Sequence, residues 1–149
     1  MNASDARIAA IYTAQPGGIV KSLTPNAGSP KLTTFDLIIQ LEAGNVLGQS
    51  LANYTLNVTA VNENAVKAEA GLVPVGNPFK EEFNGPVGPD WKPSGSDFVR
   101  TGASEPTGIL RFKIHIPVDL TGRFHYNLEL VSAGFQVVDL AESDAFLLV

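Results

Sequence analysis

"RFHYNLELV", from Arg123 to Val131, alternates apolar and polar residues without a break. Phe124, Tyr126, Leu128 and Leu130 share one parity, and His125, Asn127 and Glu129 share the other. Successive side chains of an extended chain point to opposite faces, so the pattern describes a strand with one buried and one wet face. A wet face marks antiparallel sheet, because parallel sheets are covered on both sides.

Three more segments carry the same signature. In "TFDLIIQLE" (34–42) Phe35, Leu37, Ile39 and Leu41 oppose Asp36, Gln40 and Glu42. In "NYTLNVTAV" (53–61) Tyr54, Leu56, Val58 and Ala60 oppose Asn53, Thr55, Asn57 and Thr59. In "ILRFKIHI" (109–116) Leu110, Phe112, Ile114 and Ile116 oppose Arg111, Lys113 and His115. Weaker strands flank these. "RIAAIYT" and "GIVKSL" read as a first strand broken by the turn residues "QPGG", and "FQVVDL" and "AFLLV" as a last strand interrupted by "AESD". "NENAVKAEA" (62–70) has helix-forming residues for a turn or two. Seven or eight short strands in 149 residues predict a single all-β domain, 1–149, built as an antiparallel two-sheet β-sandwich.

The segment "DLTGRFHYNLEL" (119–130) resembles the entry to the penultimate strand of immunoglobulin-like sandwiches. There an acidic and a small residue precede an aromatic, as Asp119 and Gly122 precede Phe124. Tyr126 stands where antibody domains carry cysteine, and this chain has no cysteine at all. The resemblance implies an immunoglobulin-like connection, with 109–116 and 123–131 in different sheets. A direct hairpin across "PVDLTG" is the alternative. It would set Ile114 against Tyr126, Arg111 against Glu129 and His115 against His125. The immunoglobulin-like connection is the preferred expectation.

One region breaks the alternation. From 71 to 108 the chain holds 7 of its 14 glycines and 6 of its 10 prolines, which excludes a central strand through most of it. It also carries Phe79, Phe83, Trp91 and Phe98, and a disordered linker is poor in such residues. The expectation is a long ordered loop whose aromatics pin it over an edge of the sandwich. A second reading exposes Trp91, beside Asp90, Lys92 and Asp97, as a platform for stacking a sugar ring. A third uses the same loop for protein contact.

Composition narrows the function by exclusion. Net charge is −5 and the ten basic residues are scattered, so no footprint for a nucleic-acid backbone exists. No apolar run has the roughly 18 residues that a membrane span needs, and the first residues lack the apolar core of a signal peptide. Without cysteine there is no thiolate metal site or cysteine nucleophile. His115 and His125 lie on wet faces, "GASEP" and "SGSD" lack the flanking glycines of a nucleophile elbow, and no phosphate loop or cofactor fingerprint occurs. Asp139, Glu142 and Asp144 have the hard oxygens for calcium but not the glycine-punctuated spacing of a calcium loop. The sequence therefore points to a non-catalytic structural or interaction module that takes a protein partner or self-associates. Its hydrophobic last strand, "AFLLV", is a candidate to complete a partner's sheet. Carbohydrate binding through Trp91 is the alternative, and a small hydrolase a more distant one.

Overall fold

The computed structural model describes residues 1–132 and 137–149. Every long element is a strand. One sheet has β1 (Ala6–Ala14) against β2 (Thr34–Ala43), and β2 pairs on its other side with two strands placed end to end. These are β8 (Leu110–His115) and β7 (Asp97–Arg100), the latter continued by β6 (Trp91–Ser94). The second sheet is centred on β3 (Asn53–Asn62) and β9 (Gly122–Ser132). β9 also pairs with β10 (Val137–Glu142) and β11 (Phe146–Leu148), and β3 with β4 (Lys67–Ala68) and β5 (Phe79–Glu82). All pairings are antiparallel.

The alternation read from the sequence is what packs the two sheets. Phe35, Leu37, Ile39 and Leu41 of β2 face Leu56, Val58, Ala60, Tyr126, Leu128 and Leu130 in one shared core. At about 25 cal/mol per Å² of apolar surface removed from water, this shared face is the main stabilising term of the fold. A smaller cluster of Ala14, Ile38 and Ile109 lies on the outer side of β2. Arg111 closes it, donating to Asp36 at 2.8 Å and to both oxygens of Glu105 at 2.9 Å.

β8 pairs with β2 and β9 with β3, so the two strands lie in different sheets. The hairpin register is thereby overturned. Arg111 does not meet Glu129, and His115 stands opposite Thr34 while His125 stands opposite Val61. Other expectations change as well. "GIVKSL" forms no strand beyond a bridge from Ala14 to Lys21: the chain after "QPGG" returns beside the end of β1, where the Ser22 N–H donates to the Thr13 carbonyl, and Val20 is left exposed. "NENAVKAEA" forms no helix. It turns at Val66, which has φ 51°, and enters β4, with a 3-10 turn only at Ala70–Leu72. The first two residues of "FQVVDL" lie outside the described residues. "AFLLV" completes its own sheet: β11 pairs with β9, and Phe146 and Leu148 are buried in the chain's own core.

The region 71–108 is ordered, and it adds strands to both sheets. β5 extends the second sheet, while the β6–β7 hairpin extends the first, with Pro93 on its outermost strand, where a missing N–H costs no ladder bond. Phe98 explains two of the glycines. A Cβ on Gly85 would lie 2.5 Å from its ring and one on Gly48 2.6 Å from it, so the ring fits only between two bare backbones.

Candidate functional site

The residues singled out for sugar stacking do not form a platform. Trp91 is 0% exposed. Its ring packs edge-on to Tyr54 at 5.7 Å and against Phe83 at 5.0 Å, so no face is left for a sugar. The period of two sends Lys92, next along β6, to the exposed side. Asp90 is held by Asn84, whose side-chain amide donates to it at 2.9 Å, and Asp97 pairs with Ser94 across the hairpin. Burial of Trp91 corrects that expectation. It is what a loop pinned by its aromatics requires.

Beneath the hairpin lies a polar group that sequence reading missed. Arg100 of β7 donates to both oxygens of Glu81 on β5, at 2.6 and 2.9 Å, and so ties the first sheet to the second. Its remaining nitrogen donates to the Thr101 carbonyl at 2.7 Å, and Asp90 lies 3.6 Å away. The Tyr54 hydroxyl donates to Glu81 at 2.7 Å. Burial draws the Arg100 guanidinium down, but the bonds to Glu81 more than offset this and hold its pKa above the usual value. The signal was present in parity. Phe98 and Arg100 share a face, as do Phe79 and Glu81, so whatever buried the rings also buried the charges. Both Glu81 oxygens are occupied, which suits the group to clamping rather than proton transfer.

Burial, with Glu81 second, holds the Tyr54 phenol well above its ordinary value of 10.0. Burial alone raises Tyr126, whose hydroxyl donates to the Leu72 carbonyl at 2.7 Å. A folded-state pKa above the unfolded one means stability that is complete below pH 10.0 and lost as pH rises past it. The expected result is a melting temperature that is steady from pH 8 to 9.5 and falls steeply above pH ~10. Thermal melts monitored by circular dichroism across that range check it.

The other candidates are held apart. His115 is exposed on β8, and His125 lies on the opposite sheet between Glu63 and Glu142, at 3.7 and 3.6 Å. Asp139 accepts the backbone N–H of Ile8 at 2.7 Å, and Asp144 pairs with Lys21. Among the described residues, no three His, Asp or Glu side chains come together as a metal site would require, so the calcium reading finds no ligand set. Among the described residues no helix is long and apolar enough to cross a membrane.

Exposed apolar side chains stand at both ends of the sandwich, Val46, Leu51 and Val87 at one and a larger set at the other. The loops before β2, after β3 and after β8 meet there, together with β11. Val66 and Val118 are 84% and 91% exposed, Val20 78%, and Leu23 and Leu147 about half. Two cavities of about 260 and 210 Å³ open at this end, one lined by Leu23 and Leu147, the other by Pro117, Val118 and Leu120; Val66 and Val20 line neither. The side-chain amide of Asn26, which lines the second, donates to the Val149 carbonyl at 3.2 Å and accepts its N–H at 3.1 Å. Comparison with known proteins adds no relative, since no family model, no curated protein and no solved structure matches this chain.

Proposed function

We propose that the protein is a non-catalytic interaction module of immunoglobulin-like type, which binds a protein partner through the apolar loops at this end. The strand orders support the type: β1, β2 and β8 in one sheet face β10, β9 and β3 in the other. The observation that carries the function is Val66. A β-branched residue in left-handed conformation is a backbone outlier, and this one holds an apolar side chain in open solvent. Glycine would suit the turn better on both counts, so the side chain answers to something other than the fold.

Val66→Gly is therefore expected to raise unfolding free energy by about 1 kcal/mol, read from urea titrations. Val66→Asp with Val118→Asp is expected to leave the fold intact and abolish retention of a partner from an extract of the source cells. If both forms retained the same proteins in equal amounts, the loop end would not be the binding surface.

A further inference from the structure

We propose that copies of this chain also join edge to edge, the free edge of β8 in one copy pairing with the free edge of β10 in the next. The inference rests on the reading of an interaction module but uses a different surface.

Which backbone groups face outward follows from two hydrogen bonds. The Ile116 N–H donates to the Thr33 carbonyl, which fixes the phase of β8 on β2. The N–H and C=O of Arg111, Lys113 and His115 then point away from the sheet. The Ser143 N–H donates to the Tyr126 carbonyl, and the same rule turns Val138, Leu140 and Glu142 outward from β10. Among the described residues no hydrogen bond reaches these groups. Each edge thus offers three consecutive outward positions, the pattern that invites another strand.

Other edges are closed by particular residues. On β3 the Asn77 side chain bonds both the N–H and the C=O of Val58, and the Glu69 N–H takes the Ala60 carbonyl. On β1 Asp139 takes the Ile8 N–H beside a bulge, and the Ser22 N–H takes the Thr13 carbonyl. Loop 22–27 covers β11 through the Leu23 carbonyl and Asn26.

Charge selects the pairing. β8 presents Arg111, Lys113 and His115, of which Arg111 is engaged by Asp36 and Glu105 while Lys113 and His115 are exposed. β10 presents Glu142 with the exposed Val138 and Leu140. Pairing β8 with another β8 about a two-fold axis at Lys113 would set that residue against its own copy, which like charges oppose. Pairing β8 with β10 in the register that sets Lys113 opposite Glu142, and His115 opposite Leu140, puts basic against acidic. A groove of about 480 Å³ between β10 and β1, walled by Ile8, Ile11 and Ala141, runs along that flank beside Glu142. Two different edges make a head-to-tail contact, which cannot close as a two-fold dimer and runs on to a ring of several copies or a filament.

Light scattering on the full chain over a range of concentrations tests this. The mass is expected to pass the dimer and keep rising, and to fall with added salt. Lys113→Glu or Glu142→Lys alone should weaken association roughly fivefold, and the two combined should restore it. Leu140→Pro removes only an outward N–H, so it should abolish association while circular dichroism and melting show a retained fold. A monomer at every concentration overturns the proposal and leaves the loop-end reading standing. So does a closed dimer indifferent to Lys113, which would mean that β10 pairs with itself. Loss of partner capture in the Val66 and Val118 variant, with mass growth unchanged, would separate the two surfaces.

Discussion

Trp91→Ala is expected to lower unfolding free energy by about 3–5 kcal/mol, the range for emptying a large buried aromatic site. The side chain is fully buried, and the rings of Tyr54 and Phe83 that pack on it belong to β3 and to the segment after β5. They cannot collapse inward, because Tyr54 is fixed by Glu81 and Phe83 makes backbone bonds to Ala52 and Leu51. The cavity would therefore persist and its cost be paid nearly in full. Trp91→Phe is a sharper control. Among the described residues the buried indole N–H finds no acceptor within hydrogen-bond geometry, so phenylalanine gives up volume and no well-formed bond. It should cost less than roughly half as much. Urea titrations followed by far-ultraviolet circular dichroism give both values. In the unaltered protein a buried indole predicts blue-shifted emission and no response to a panel of glycans. A cost below ~1 kcal/mol for the alanine variant would mean that the hairpin is not pinned by this ring.

How far the sequence could be read follows from which interactions are local. Period two in β2, β3, β8 and β9 is a property of neighbouring residues, and it placed Phe35, Tyr54, Ile114 and Tyr126 in the core correctly. The aromatics of 71–108 likewise implied order, and β5, β6 and β7 supply it. Which side of the hairpin Trp91 faces was not legible. "DWKPS" has charged residues on both sides of the ring, and only pairing with Arg100 across the turn turns it inward. The clamp was hidden for a related reason. Arg100 and Glu81 are 19 residues apart on strands of different sheets, and their meeting depends on both additions to the sandwich at once. "AFLLV" was misjudged because a hydrophobic strand reads the same whether it serves its own sheet or a neighbour's. Loop 22–27 decides that, through Asn26 on Val149.

Arg100→Ala should destabilise the protein nearly as much as loss of the tryptophan, by about 3–5 kcal/mol, for a reason that is not the strength of an ion pair. Glu81 is four-fifths buried with both oxygens committed to Arg100. Removing the guanidinium leaves a carboxylate with one partner, the Tyr54 hydroxyl, in a site that water does not freely reach. Desolvation is then uncompensated, and this is the larger part of the cost. Glu81→Gln keeps the shape and one accepting oxygen, so it should be milder than Arg100→Ala. The double variant Glu81→Leu with Arg100→Met decides between the two accounts. If attraction between the charges supplied the stability, the double variant would be at least as damaged as Arg100→Ala. If unpaired burial is the cost, replacing both groups by apolar ones of similar size should recover most of the loss, because a desolvated pair is seldom better than good packing. Recovery to within ~1 kcal/mol of the unaltered protein is the expected outcome, measured by the same titrations. It would make the clamp a device that specifies how β5 meets β7, with the aromatics beneath it supplying most of the energy.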